Sequence, residues 1–264
     1  MNRSTEFCGI KLKNPLILAS GILGVDTPTM KRVAASGAGA ITMKSIGPKP
    51  RAGHANPTVI PWEHGLINAV GLSTLGYKEM DKEWEELKDL KDPLIASIYG
   101  ASVEEFEEVA EFVAGKKPSA VEINISCPNT KAEGQVFGCS SELAGEVTGA
   151  VRRKIGQIPL IAKLTPQAAN IGEIASACEK SDADAICAIN TAGPGMVIDI
   201  EARAPVLSNK QGGLSGPAIK PIAVRCVYDI FESVKIPIIG LGGVTTGRDA
   251  IEMIQAGATA VGVG

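Results

Sequence analysis

Four polar side chains stand inside otherwise apolar runs of the chain. They are Lys44 in A-I-T-M-K-S, Lys163 in L-I-A-K-L-T, Asn124 in E-I-N-I-S and Asn190 in A-I-N-T. An ammonium or an amide buried without a partner is costly. Four of them near the same ends of their runs point to a polar pocket that takes an anion or a heterocycle. Cys127 follows in S-C-P-N, where Pro128 restricts it to extended backbone. A thiol beside a lysine is a usable base. Cys178, Cys187 and Cys226 read as small buried hydrophobes, and Cys139 as a loop thiol. Two glycine clusters, Gly240-Leu241-Gly242-Gly243 and Gly212-Gly213-Leu214-Ser215-Gly216, each precede a predicted helix. With Gly262 and Gly264 they offer backbone N–H groups and a helix N-terminus to a phosphate.

The elements that must position these residues are short apolar runs alternating with amphipathic stretches. The runs are Pro15–Ser20, Ala40–Ser45, Pro93–Tyr99, Ala120–Ser126, Pro159–Thr165, Ala185–Thr191, Pro237–Gly243 and Ala260–Gly264. Each is too short for a buried helix, and continuous apolar character marks strands covered on both faces. Helices are predicted over Thr29–Ser36, Tyr77–Leu90, Ser102–Ala114, Ser140–Ile155, Ile171–Lys180, Pro217–Val234 and Thr246–Ala256. Eight strands alternating with helices in 264 residues predict an α/β fold, a (β/α)8 TIM barrel in one domain over residues 1–264. Ser4–Lys13 is expected to form a short N-terminal hairpin plugging the barrel bottom. The chain stops at Gly264, where a complete barrel continues into a loop and an eighth helix, so a barrel truncated after strand eight is expected. Gly47–Thr74, Pro128–Cys139 and Ala192–Leu214 are too long for simple connections. Each follows the carboxyl end of a strand, where barrel enzymes carry their active sites.

Composition narrows the function. A net charge of −3 and 4% aromatic residues argue against a nucleic-acid surface. No run reaches a membrane span and no signal peptide opens the chain, so a cytoplasmic enzyme with reduced thiols and no membrane is expected. The two histidines, His54 and His64, share one Gly/Pro-rich stretch, and no metal site is expected.

With Lys44-Ser45, Asn68-Ala69-Val70-Gly71-Leu72, Asn124-Ile125-Ser126-Cys127-Pro128-Asn129, Lys163-Leu164-Thr165-Pro166, Asn190-Thr191, G-G-L-S-G-P and Gly242-Gly243 in that order, the chain resembles dihydroorotate dehydrogenases along nearly its whole length. Cys127 at the base position is similar to class 1, and the K-A-E-G-Q-V-F-G loop to class 1B catalytic subunits. The resemblance implies FMN-dependent oxidation of (S)-dihydroorotate to orotate in pyrimidine biosynthesis. By position, Cys127 takes the C5 proton while the C6 hydride goes to flavin, and Lys44 faces both substrate and flavin. Asn68, Ala69, Val70, Gly71, Leu72, Asn124, Asn129, Asn190 and Thr191 hold the substrate. Ser20, Lys44, Ser45, Asn124, Lys163, Ile189, Gly216, Gly242, Gly243 and Gly264 contact FMN, with Lys163 stabilising the reduced ring. Ser97 stands where the family commonly has Asn. The resemblance further implies a homodimer, or a heterotetramer with a subunit carrying FAD and a 2Fe–2S cluster that passes electrons to NAD. This chain has no four-Cys spacing for such a cluster. A fumarate-linked class 1A enzyme and a dihydrouracil-oxidising relative stay open as alternatives.

Overall fold

The computed structural model describes residues 4–126 and 137–264. Eight parallel strands close into a barrel in chain order: β1 (Leu16–Leu18), β2 (Ala40–Thr42), β3 (Leu94–Ile98), β4 (Ala120–Asn124), β5 (Leu160–Leu164), β6 (Ala185–Ala188), β7 (Ile238–Leu241) and β8 (Ala260–Val263), with β8 pairing β1. The α/β barrel expected from the alternating runs is therefore the observed fold. Pro15, Pro93, Pro159 and Pro237 stand just before β1, β3, β5 and β7. Each lacks an N–H to give the ladder but accepts a ladder hydrogen bond at its carbonyl, over 2.8–3.0 Å.

The outer ring comprises α1 (Thr27–Ala35), α2 (Asp81–Leu87), α3 (Val103–Lys116), α4 (Ser141–Ile155), α5 (Ile171–Lys180), α6 (Lys220–Phe231) and α7 (Gly247–Gln255). Asp26, Ser102, Ser140, Asn170 and Thr246 cap five of these helices by accepting a hydrogen bond from a first-turn N–H. Two predicted helices begin instead as single 3-10 turns, Tyr77–Met80 and Pro217–Ile219. In the second case Pro217 and Pro221, both without N–H groups, delay regular helix until Lys220.

Alternation along the strands divides the interior in two. One face packs against the helices in the larger core. The other fills the barrel with Ile17, Ala40, Ile95, Ala120, Ile161, Ala185, Cys187, Ile239 and Ala260. Strands Thr5–Phe7 and Ile10–Leu12 form the expected hairpin, whose Phe7 and Leu12 close this inner core from below.

The long connections are not irregular loops throughout. Val59–Trp62 and Gly65–Asn68 pair with each other, and Gly65–Asn68 pairs with Gly212–Ser215, which pairs with Ala192–Gly195. The result is a four-stranded antiparallel sheet with its own small core of Ile60, Ile67, Ala69 and Leu207. It ties the connection after β2 to the one after β6.

Candidate active site

The polar residues at the strand ends rest directly on the inner apolar core. Two residues beyond Ile95, Ala120 and Ile161 on the same faces stand Ser97, Glu122 and Lys163. The pairings Ser97↔Glu122 and Asn124↔Lys163 make the three strands neighbours. All three side chains are buried, and Lys163 Nζ lies 3.8 Å from Glu122 Oε1. Ser97 Oγ donates to the same carboxylate oxygen over 2.9 Å. A burial this complete is tolerable for two charges only when they are paired and hydrogen-bonded.

From this pair a row of polar contacts runs across the barrel mouth. Ser45 Oγ is 2.9 Å from Ser97 Oγ and 3.3 Å from Ser20 Oγ, and Ser20 Oγ donates to the Met43 carbonyl over 2.9 Å. Asn124 Nδ2 donates to Ser45 Oγ over 3.4 Å, and Asn190 Nδ2 donates to Asn124 Oδ1 over 3.3 Å. Asn190 Oδ1 in turn accepts from the Thr191 N–H over 2.8 Å. Ile189 is buried and donates its N–H to the Leu241 carbonyl over 2.7 Å, which places Asn190 at the mouth beside β7. Ser20, Ser45, Asn124, Lys163 and Asn190, from five different strand ends, thus converge on one polar surface.

Lys44 sits two residues past β2, held by its N–H to the Gly24 carbonyl over 2.7 Å. It is half-buried, and among the described residues its ammonium has no hydrogen-bond or ion-pair partner. Burial pushes this ammonium below its ordinary pKa of 10.5. A half-buried cation without a counter-charge suits an anionic ligand.

The segment Asn68–Leu72 leaves the top sheet at the same mouth. Asn68 Nδ2 donates to the Gly213 carbonyl over 3.4 Å, and Ala69 donates its N–H to the Thr58 carbonyl over 2.7 Å. The Val70 carbonyl accepts from the His54 N–H, and the Leu72 carbonyl accepts from the Tyr99 hydroxyl over 3.2 Å. Gly71 has φ +77°, and a Cβ there would lie 2.6 Å from the His54 ring. Glycine is required at this turn on both counts.

At the other side of the mouth Gly216, Gly242 and Gly243 all have positive φ. A Cβ on Gly243 would come 2.8 Å from the Gly216 carbonyl oxygen and 2.7 Å from Lys220 Cβ. The two glycine turns therefore form one cradle, as their separate positions in sequence suggest. The Thr245 and Thr246 N–H groups, just ahead of α7, donate to Asp249 Oδ2 over 3.1 and 2.8 Å, the latter as half of that helix's capping box. Gly264 follows β8, where an added Cβ would meet Ile22 at 3.2 Å.

Cys127 and Asn129 lie outside the described residues, as does most of the K-A-E-G-Q-V-F-G loop. Cys178, Cys187 and Cys226 are buried and Cys139 is exposed. Cys187 is more than a hydrophobe, however: its thiol faces Glu122 and Lys163, and burial together with the Glu122 carboxylate drives it far above the usual thiol range. Glu122 went unread in the sequence, although it lies two residues before Asn124 on the same strand face. A carboxylate at that register in a doubly covered strand needs a cation, and Lys163 is the residue able to supply it.

The donor set fits a flavin mononucleotide. Three glycines with positive φ bring the backbones of two turns together at the mouth, and hydroxyls, amides and a buried ammonium line the adjoining surface. Among the described residues, no group of three or more His, Cys, Asp or Glu side chains could hold a metal ion. No helix among them is long and apolar enough to cross a membrane.

Comparison with known proteins fits this geometry. Residues 3–264 match the family described as dihydroorotate dehydrogenase. The chain is 50% identical over 258 residues to "Dihydroorotate dehydrogenase B (NAD(+)), catalytic subunit" of Methanosarcina mazei, covering 97% of this chain and 82% of that protein. It is 46% identical over 264 residues to the protein of the same name in Methanocaldococcus jannaschii, covering 98% and 85%. A crystal structure of DHODH from Eimeria tenella in complex with ferulenol superposes with a TM-score of 0.82 over 100% of this chain and 78% of that one. At 22% identity, that likeness speaks for the barrel fold.

Proposed function

Because the chain belongs to the dihydroorotate dehydrogenase family, we propose that it oxidises (S)-dihydroorotate to orotate in pyrimidine biosynthesis as the FMN-binding catalytic subunit of a class 1B enzyme. The observation that carries the reading is the convergence of Ser45, Asn124, Lys163 and Asn190 beside the glycine turns at one barrel mouth, with Lys44 next to Ser45 at the end of β2. FMN, when bound, supplies the acceptor for the hydride that leaves C6 of the substrate. Gly216, Gly242 and Gly243 hold its phosphate, and Ser20, Ser45, Ile189 and Gly264 contact the cofactor.

The residues of the chain do the rest. Lys44 pairs with the substrate carboxylate, since its ammonium is half-buried and free of a counter-ion among the described residues. Asn68, Asn124, Asn129 and Asn190 present amides to the carbonyl and N–H groups of the pyrimidine, with Ala69–Leu72 and Thr191 closing around it. Cys127 takes the C5 proton. Lys163 holds a positive charge against the cofactor's polar edge, so negative charge that builds there on reduction meets a preorganised cation. The relatives are named as catalytic subunits, which supports a second subunit that receives the electrons, carrying FAD and a 2Fe–2S cluster and delivering to NAD.

The test is anaerobic. The protein is saturated with FMN, freed of excess, and mixed with dihydroorotate while the oxidised flavin band is followed. Bleaching by dihydroorotate and not by dihydrouracil is expected. Retained flavin that only dihydrouracil bleaches would overturn the substrate assignment. Cys127→Ser is expected to slow bleaching about a hundredfold or more near neutral pH, while orotate binding persists.

A further inference from the structure

The mechanism above uses Lys163 and leaves Glu122 without a task. Yet Glu122 is among the most thoroughly enclosed charged groups of the barrel, at 2% exposure. The polar and ionisable groups that face it are Ser97 from β3, Lys163 from β5 and the Cys187 thiol from β6. Below it lie only the apolar side chains of the inner core. A carboxylate in that place is expensive unless it acts on the cation beside it. Lys163 has no other counter-charge among the described residues.

We propose that Glu122 is a positioning residue that acts through Lys163, holding its ammonium in place beneath the cofactor site. The Ser20–Ser45–Ser97 row ends on the same carboxylate, so the pair is also braced from the strand ends on the far side of Ser45. Cys187, the remaining titratable group facing the pair, stays a neutral thiol across the working range, because burial and Glu122 both oppose its ionisation. Lys163 therefore depends on Glu122 alone for its charge balance. The chemical consequence rests on the FMN assignment above, but the pairing itself does not, and the experiment separates the two.

The first arm uses the flavin-free protein. Glu122→Gln, Lys163→Met and the double variant are compared by thermal melting. Removing one member of a buried pair leaves the other uncompensated, whereas removing both does not. Each single variant is therefore expected to melt lower than the double variant. Additive losses, with the double variant lowest, would overturn the proposal.

The second arm measures affinity for reduced over oxidised FMN. With the ammonium no longer held in place, the ratio in Glu122→Gln is expected to fall about tenfold below that of the unaltered protein, about 30 mV for a two-electron couple. With Lys163→Met in the background, the same change is expected to move the ratio by less than about twofold. An unchanged ratio, or an equal effect in both backgrounds, would overturn the proposal. If the unaltered protein fails to retain FMN, the cofactor assignment falls while the first arm still decides the pairing. Should Glu122→Gln not fold, Ser97→Ala removes the hydroxyl that steadies the carboxylate. It is then expected to shift the ratio in the same direction with the same dependence on Lys163, and no shift would overturn the proposal.

Discussion

Lys44 and Lys163 are chemically identical side chains in different surroundings, which suits them to different tasks. Lys163 is enclosed and faces Glu122, whereas Lys44 is half-buried with no counter-charge among the described residues. Burial alone pushes Lys44 below the ordinary lysine value of 10.5. A folded-state value below the unfolded one means that the unfolded chain binds more protons, so this group's penalty is present when it is charged and is relieved as pH rises. A bound carboxylate reverses the balance by favouring the charged form. Orotate affinity is therefore expected to be fullest below the Lys44 value and to fall as pH rises through it, with the loss setting in below pH 10.5. Lys44→Met is expected to weaken orotate about tenfold to a hundredfold, the range for a charge-assisted hydrogen bond, and to abolish that alkaline limb. Fluorescence titration across pH checks both. A variant that keeps the limb would remove Lys44 from carboxylate binding.

Among the elements, α7 shows what a capping box does beside a ligand cradle. Thr246 accepts from the Asp249 N–H, and Asp249 accepts from the Thr245 and Thr246 N–H groups and from Lys220. Lys220 and Thr246 are the leading causes that hold the Asp249 carboxyl far below the usual range. Thr246→Ala is expected to cost about 1 kcal/mol, or about 2–4 °C in Tm. For Asp249 the folded-state value is depressed, so its contribution is complete above the unfolded carboxylate value and is lost as pH falls towards the folded one. The Tm difference between the unaltered protein and Asp249→Asn should therefore be largest near neutral pH and shrink below about pH 4. A difference that stays constant into acid would place the effect outside this carboxylate. The same elements show what the sequence makes legible. The barrel strands are readable because burial on both faces leaves continuous apolar runs, and α5 is readable end to end because Asn170 caps it and Ile171, Ile174, Ala175 and Cys178 repeat at helical spacing. The top sheet is not readable. Its strands, such as A-G-P-G and G-G-L-S, are short and rich in Gly and Pro, and Asn68 pairs with Gly213 across four intervening barrel strands of sequence. Glu122 stays hidden for a related reason: its partner Lys163 lies one strand away, and only the parallel register reveals the pair.

At the scale of the whole molecule, the barrel separates stability from chemistry along its axis. The lower end is closed by the hairpin, with Phe7 at 1% and Leu12 at 2% exposure against the inner core. The upper end carries the polar row, and between them Ile161, Cys187 and Ile239 fill the interior. Interiors packed this closely respond to a lost side chain locally, and sites without shared partners behave nearly independently. Phe7→Ala removes a buried aromatic and is expected to cost about 3–5 kcal/mol, a fall of about 6–20 °C in Tm. Gly213 lies at the opposite end, where a Cβ would meet Thr191 Oγ1 at 2.1 Å. Gly213→Ala must displace Thr191, and with it the neighbouring Asn190 whose Oδ1 accepts from the Thr191 N–H. The two substitutions should therefore part company. Phe7→Ala lowers Tm but leaves orotate affinity within about twofold at a temperature where the protein is folded, because the inner core separates plug from mouth. Gly213→Ala weakens orotate about tenfold or more through the displaced amide, whatever it does to melting. Melting curves and orotate titrations on both variants decide it. If Phe7→Ala weakened orotate as much as Gly213→Ala does, the inner core would be transmitting strain from hairpin to mouth, and the barrel would have to be read as one coupled body.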